Sequence, residues 1–566
     1  MSRSVLLLLT SPIPKLKSKV QAILQASKQY AKNSLYIQLQ PMQKPSKPSS
    51  ATVFKLKHVA PTEDAFHLMQ QFYQTNAALF KQIDLRIILD SFGAAPVPDP
   101  VVTKTTTSSS GQDQTYQSLR NFDLILHDFI TSDANHKNKF LHDVAHCFPK
   151  CDLGQNFENI VPLPLPQTPL NDDASPRTTD DTSGVASVVM TTYGHVVLGG
   201  TFDRLHAGHK VLLTQACLLS SHAVMIGVTD DNFAARKVLS ELLEPLEVRM
   251  QSVRDFIEDV KPGTKLELVP LQDMYGPTIT DATMDCLVVT METSKGATMI
   301  NTERSKRGLP PLEVRIIDLL DEEANTEYQD LLEPKISSSN ERKLLLGTLI
   351  KKPDFSSKPI PNWPYCIGLT GGIASGKSSL CKRLQNLGAA VVDCDKLGHQ
   401  VYCKDTPVYH QIVEYFGKEI LAPNGEIQRS SLGKIVFSDK NKLHQLNNMV
   451  WPAIGVAVKE EITKFAKEGK DIVVIEAAVL LEAKWTHMVH ETWVAIIPKN
   501  EAVKRIMERN NLSKEDAEAR IDSQLSNKER VEAANVVLCT QWDYEITQQQ
   551  VEKAWKLLQG RLLPKD

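Results

Sequence analysis

Residues 196–209 read Val196-Val197-Leu198-Gly199-Gly200-Thr201-Phe202-Asp203-Arg204-Leu205-His206-Ala207-Gly208-His209. The opening apolar run predicts a short buried strand, and the glycine pair closes it in a turn that lets backbone approach a ligand. Ala207 to Leu219 has helical periodicity, and Ala223 to Val228 is a second apolar run. Strand, helix and strand make a βαβ unit. Its motif lies at the strand-to-helix corner, where open parallel sheets bind ligands. Leu287 to Thr290 predicts a later strand of the same sheet. His206 and His209 are three apart at the start of the helix and share one face. Imidazoles beside helix N-terminal N–H groups suit phosphate oxygens. In nucleotidyl transfer an acceptor attacks an α-phosphorus and pyrophosphate leaves. Fixed donors stabilise the charge that builds on the oxygens, with no covalent intermediate.

A second phosphate motif follows the strand-like run Cys366-Ile367-Gly368-Leu369. Gly371-Gly372-Ile373-Ala374-Ser375-Gly376-Lys377-Ser378 fits Gly-x4-Gly-Lys-Ser in full, and Ser379 extends it. Backbone N–H groups of such a loop cradle phosphates, Lys377 reaches the β and γ oxygens, and Ser378 ligates Mg²⁺. Asp393 and Asp395 follow the next strand, Ala390 to Val392. A carboxylate there can take the proton of an acceptor hydroxyl, although Asp is also an ordinary turn residue. Further strands are expected at 472–475, 493–497 and 535–538.

The chain has 566 residues and a net charge of −3, which gives no argument for nucleic-acid binding. Nine cysteines are scattered without a Cys-x-x-Cys pair, which favours a reducing compartment over a disulfide framework. No apolar run is long enough to span a membrane. His142, His146, Cys147 and Cys151 lie close together, but their order fits a zinc site poorly and they read as structural. The first acidic residue is Glu63, after a basic stretch containing Val5 to Leu9. That run is either a buried first strand or part of a mitochondrial targeting segment, so the expected location is cytoplasmic and/or mitochondrion-associated.

Pro96 to Ser118 is rich in Pro, Thr and Ser and reads as a linker or loop. Pro162 to Pro169 favours polyproline II and is either a stiff spacer or an SH3- or WW-type ligand. The expected layout is an α/β N-terminal region of uncertain fold at 1–160, then a Pro/acidic linker at 161–190. A Rossmann-like nucleotidyltransferase domain follows at 191–350, a linker at 351–364, and a P-loop kinase domain at 365–562.

Gly199 to Lys210, Tyr275-Gly276-Pro277-Thr278 and Glu292-Thr293 with Asn301 and Arg304 resemble the eukaryotic and archaeal phosphopantetheine adenylyltransferases. The resemblance implies that Thr201 contacts the acceptor phosphate, His209 stabilises the transition state and His206 helps to hold ATP. Lys237 stands where the family has an acceptor-orienting lysine, ahead of Arg249. Both otherwise read as solvated helix charges. Lys335-Ile336-Ser337-Ser338-Ser339 resembles the superfamily's triphosphate loop, with Ser339 where Thr is commoner.

The segment 365–562 resembles the dephospho-CoA kinases, through Leu369 to Ile373, Asp393-x-Asp395, Arg429 with Leu432, Glu482 and an Arg-rich C-terminal part. That likeness implies ATP-dependent phosphorylation of the ribose 3′-hydroxyl of dephospho-CoA. Asp395 is the expected base and Asp393 its helper. Arg505, Arg509 and Arg520 would form a mobile lid over the phosphates, or simple surface ion pairs. Trp451-Pro452, His399 and the Pro-free segment Glu476 to Glu482 depart from the family pattern.

The first product would be the second substrate, and chain order matches reaction order. Together the two halves resemble the bifunctional coenzyme A synthases, which use 4′-phosphopantetheine, dephospho-CoA and ATP. Other adenylyl- and cytidylyltransferases share the first signature but leave the kinase half unexplained. A class I aminoacyl-tRNA synthetase would need basic tRNA-binding domains that the chain has no room for. A scaffold role would rest on the N-terminal region and proline segment, in addition to catalysis. Oligomeric state is not readable from the sequence.

Overall fold

The structure is a computed structural model. It describes residues 4–41, 54, 56–57, 60–80, 82–89, 102–106, 115–118, 120–129, 131, 133–154, 157–165, 188–318, 337–354 and 360–562. The chain divides into two compact units, Met1–Asn340 and Glu341–Asp566.

The first unit contains strands β1 (Ser4–Leu9), β2 (Ser34–Leu39), β3 (Leu56–Lys57), β4 (Asp84–Ile88), β5 (Val102–Thr106), β6 (Thr115–Ser118), β7 (Leu124–His127) and β8 (Ile160–Pro162). Five of them form a parallel sheet in the order β4-β2-β1-β7-β8. Val5 to Leu9 are each 0 % exposed, because β1 is central and covered on both faces. The apolar run near the N-terminus is thus a strand of a folded domain.

Two sequence expectations change here. Within the stretch read as a linker, β5 and β6 pair antiparallel, and β6 also pairs with β3. Val and Thr favour the extended backbone, and strand pairing satisfies backbone N–H and C=O groups. The proline segment is not wholly free either. Ile160 to Pro162 pair with β7, and buried Leu163 donates its N–H to His127 O at 2.7 Å. Residues 166–169 lie outside the described residues.

A second parallel sheet follows in the same unit: β9 (Tyr193–Gly200), β10 (Ser220–Thr229), β11 (Lys265–Leu271), β12 (Cys286–Thr290) and β13 (Glu313–Ile317). Its order is β11-β10-β9-β12-β13. Counting parallel strands along the chain, both sheets follow the order 3-2-1-4-5. The direction of winding reverses at β9, so a crevice opens at its C-terminal end. The helix Ala207–Leu219 begins there, and eleven of its thirteen residues are buried.

The second unit has β14 (Tyr365–Gly371), β15 (Ala390–Asp393), β16 (Ile472–Glu476), β17 (Glu491–Ile496) and β18 (Val536–Cys539), all parallel. The order is β15-β16-β14-β17-β18. Alternate residues serve two cores: Val473 and Ile475 face one, Ile472 and Val474 the other. Residues just after 340 complete the far edge. Gly347 N–H reaches Val537 O at 2.9 Å and Ile350 N–H reaches Asn535 O at 2.8 Å. All nine cysteines carry free thiols, and no helix among the described residues is long and apolar enough to cross a membrane.

Candidate active sites

Beyond Gly200 the chain turns through Phe202 (φ 50°) and Arg204 (φ 49°), conformations that cost non-glycine residues about 1–3 kcal/mol each. The turn is held from below. Buried Asp203 accepts from Arg204 Nη1 at 2.9 Å and from Glu244 N–H at 3.1 Å. Arg249 is 0 % exposed, so it is not a solvated helix charge. Its guanidinium donates to the carbonyls of Glu244 (2.8 Å), Thr201 (2.9 Å) and Thr229 (2.7 Å) and pairs with Asp231. The geometry makes Arg249 a clamp on the Gly199-Gly200-Thr201 corner, with every arm committed to protein. Lys237 is exposed on the turn after Asp231–Ala234.

His206 occupies the N-cap of the helix Ala207–Leu219, and no side chain fills the cap. The rings of His206 and His209 stack 3.7 Å apart at 23°. Burial brings the His206 imidazole down to about 3, helped by the charge of Lys210. Burial, then His206, holds His209 well below its ordinary range. Both rings are therefore neutral at physiological pH, each with one N–H donor. Their Nδ1 atoms are buried without a hydrogen-bond partner. Ser338 Oγ lies 3.4 Å from His206 Nε2, and Ser337 Oγ accepts from Asn340 N–H at 3.3 Å. The fold thus brings a serine loop 130 residues downstream to the histidine pair, leaving Ser339 beside it at the start of the helix Ser338–Leu345. Arg304, fully buried, ties the carbonyls of Thr278 and Asp281 to that of Pro310, while Asn301 bridges to Leu312. These two tie the helix Ser294–Lys306 to residues 278–281 and 310–312.

In the second unit β14 delivers the loop Gly371 to Ser378. A Cβ on Gly371 would stand 2.4 Å from Ala495 O and 2.6 Å from Ser375 Oγ. Gly376 has φ +80° and caps the helix Lys377–Asn386 with no side-chain bond, so that helix end is open to an anion. Gly372, Ile373 and Ala374 form the partly exposed rim. Lys377 Nζ donates to Gly371 O (2.9 Å) and Gly372 O (3.1 Å), and burial lowers its pKa. Ser378 Oγ donates to Glu476 Oε1 at 2.7 Å, and Ser379 is exposed one residue on.

Asp393 and Glu476 are register partners at the ends of β15 and β16. The Asp393 carboxylate is engaged as an N-cap by Lys396 N–H at 3.0 Å. Asp395, two residues on, is exposed, and with Glu476 it contributes to the field at Lys377. Arg505 reaches the loop: its guanidinium donates to Thr540 O (2.7 Å), Thr540 Oγ1 (3.1 Å) and Ala374 O (3.4 Å). Arg509 and Arg520 are exposed on their helices.

Four site residues escaped the sequence reading. Glu476 had a signal, an apolar strand ending in an acid. Gln524 accepts Ile373 N–H at 2.8 Å, Thr540 Oγ1 donates to Ser375 O at 3.0 Å, and buried Arg530 lies by Gly372 with Glu482 3.9 Å away. These three come from distant elements and carry no local pattern.

Three family models match the chain. They are the COASY N-terminal domain over 3–151, the cytidylyltransferase-like model over 197–344, and dephospho-CoA kinase over 365–543. The dephospho-CoA kinase of Carboxydothermus hydrogenoformans is 40 % identical over 185 residues, 33 % of this chain and 90 % of its own length. That of Symbiobacterium thermophilum is 37 % identical over 194 residues, 34 % of this chain and 81 % of its own. A solved dephospho-CoA kinase from Campylobacter jejuni is 28 % identical, covers 34 % of this chain and 96 % of its own, and has a TM-score of 0.27.

Proposed function

The chain belongs, through its second unit, to the dephospho-CoA kinase family, and we propose that the whole of it performs the last two steps of coenzyme A biosynthesis. A phosphate oxygen of 4′-phosphopantetheine attacks the α-phosphorus of ATP, and pyrophosphate departs from the other side. The ribose 3′-hydroxyl of the resulting dephospho-CoA then attacks the γ-phosphorus of a second ATP and expels ADP.

What carries the first half is the neutral, stacked His206–His209 pair at an uncapped helix N-terminus, with Ser338 at 3.4 Å. Neutral imidazoles donate to oxygens as charge grows on them, without fixing a cation in the ground state. Thr201, Gly199 and Gly200 supply backbone beside the acceptor, and Ser337 to Ser339 supply hydroxyls for the triphosphate.

For the kinase step the loop N–H groups and Lys377 hold phosphates, with Arg505 behind the loop. Asp395 is the base that receives the hydroxyl proton, while Asp393 positions its turn. Arg509 and Arg520 complete a lid. Ser378 and Glu476 present the hard oxygen donors that Mg²⁺ takes, and the bound ion would neutralise charge on the phosphates. We assign 191–340 to adenylyl transfer and 365–562 to phosphorylation. Val5–Leu9 is a buried central strand, so that apolar run is not itself read as a targeting segment. The scaffold reading has no comparable support.

The test is to incubate the purified protein with 4′-phosphopantetheine, ATP and Mg²⁺ and to follow products by mass spectrometry. Coenzyme A is expected from the parent, and accumulated dephospho-CoA from Lys377→Ala. Absence of dephospho-CoA with both proteins would overturn the first-site assignment.

A further inference from the structure

We propose that the N-terminal sheet β4-β2-β1-β7-β8 is a working part of the adenylyl-transfer site, with Asp84 a positioning residue that clamps the helix bearing His206 and His209. The inference rests on the adenylyl-transfer reading above.

The N-terminal sheet and the sheet of β9 share one hydrophobic core. The helix Glu63–Leu79 packs on the helix Ala207–Leu219, and Phe66, Met69 and Phe72 belong to the same cluster as Val211, Leu212 and Ala216. Polar bonds fix the register. Thr214 Oγ1 donates to Tyr73 Oη at 3.3 Å, Gln70 Nε2 to Asp318 O at 2.6 Å, and Leu89 N–H to Val260 O at 2.7 Å.

The critical contact adjoins the signature itself. Lys210 follows His209, and its ammonium donates to Asp84 Oδ1 and, at 3.1 Å, to Leu85 O. Both acceptors lie at the start of β4, the edge strand of the N-terminal sheet. Asp84 also binds Arg86 at 2.9 Å, and Arg86 reaches Asp259 of the helix Leu246–Val260 at 2.8 Å. Arg120 donates to the carbonyl of the same Asp259. One edge strand therefore holds two helices of the catalytic sheet at once.

Lys210 is 12 % exposed, and Asp84 is the carboxylate that pairs with it. Burial works to raise the Asp84 carboxyl, yet Lys210 and Arg86 outweigh it and hold it below its ordinary value. Asp84 is 39 % exposed on its outer side, so it is removal of the carboxylate that strands a mostly buried charge, the Lys210 ammonium. The stranded ammonium lies in the first turn of the signature helix. Its escape toward water would rotate the turn that sets both histidines, and misplacement by about 1 Å can cost about 10²-fold in rate.

Among the described residues, the corner after β1 is already occupied by the protein itself. Asp128 there accepts Thr10 N–H (2.6 Å), Thr10 Oγ1 (2.8 Å) and Ser11 N–H (3.1 Å). An internal carboxylate already fills the place a phosphate would take.

The test uses the full chain with Asp84→Asn, Asp84→Glu, Lys210→Met and the double variant Asp84→Asn/Lys210→Met. Pyrophosphate release from ATP and 4′-phosphopantetheine reads the first step; phosphorylation of supplied dephospho-CoA reads the second. Expected for Asp84→Asn is a fall in adenylyl-transfer kcat of about tenfold or more, measured well below the variant's lowered melting transition, with the second activity unchanged. Asp84→Glu should recover most of it, and the double variant should be no worse than the poorer single one. Unchanged kcat in Asp84→Asn overturns the proposal. So does a loss that tracks melting, or one that Glu fails to rescue. A parent that releases no pyrophosphate while still phosphorylating dephospho-CoA overturns the adenylyl-transfer reading instead.

Discussion

At the scale of single residues, His206 links function to stability. Its ordinary pKa of 6.5 falls to about 3 in the folded chain, chiefly through burial. The unfolded chain therefore binds the extra proton first. Stability from this group is complete above about 6.5 and is lost as pH falls towards about 3. We expect the urea midpoint of the first unit to drop between pH 7.5 and pH 5, less steeply in His206→Asn. Equal slopes would show that the histidine is not the source.

Glu476 makes a second residue-scale prediction. Its carboxylate receives the Ser378 hydroxyl and adjoins Asp393 at the strand ends. Glu476→Gln keeps the shape and removes the charge, so phosphorylation of dephospho-CoA should slow by roughly 10²-fold while adenylyl transfer persists. A kinase rate within twofold of the parent would remove Glu476 from the site.

At the scale of elements, the loop Gly371–Ser378 tolerates no side chain at its first position. The atom nearest a Gly371 Cβ is the backbone oxygen of Ala495, which cannot swing aside. Gly371→Ala should destabilise the second unit by about 1–3 kcal/mol and abolish ATP binding, measured by urea melts and calorimetry. Normal ATP affinity would show that the strand can give way.

Both phosphate corners were legible in the sequence because central strands are continuous apolar runs ending in glycine. The helix Ala207–Leu219 falls on the residues its periodicity indicated. Edge strands were harder to see. β11 reads Lys-Leu-Glu-Leu-Val-Pro-Leu and β13 Glu-Val-Arg-Ile-Ile, mixed patterns suited to a half-covered edge. β5 and β6 are polar and gave no apolar signal at all. At the sites, residues within the motifs were readable, whereas Arg530, Gln524 and Thr540 meet the loop only through tertiary folding. Arg249 was visible as a charge, but its burial came from three carbonyls that no spacing announces.

At the scale of the molecule, the second unit begins earlier than its P-loop suggests. Leu346 is 1 % exposed, and Gly347 and Ile350 bond to the edge of β18. Burying one leucine is worth about 1.5–3 kcal/mol and each backbone bond about 0.5–1.5 kcal/mol. A fragment covering 341–566 should therefore exceed 365–566 in unfolding free energy by roughly 2.5–6 kcal/mol. Equal denaturation midpoints would show the added segment to be idle.

The core shared by the two sheets of the first unit also has a history during synthesis. Phe66, Met69, Phe72 and Tyr73 leave the ribosome well before the helix Ala207–Leu219 that shares their core. At ~5–20 residues per second, the roughly 146 residues between Tyr73 and Leu219 take about 7–30 s to make. Through that interval the helix Glu63–Leu79 lacks one of its packing partners, and the apolar surface left open is a natural target for holding chaperones and a point of vulnerability to aggregation whenever translation stalls.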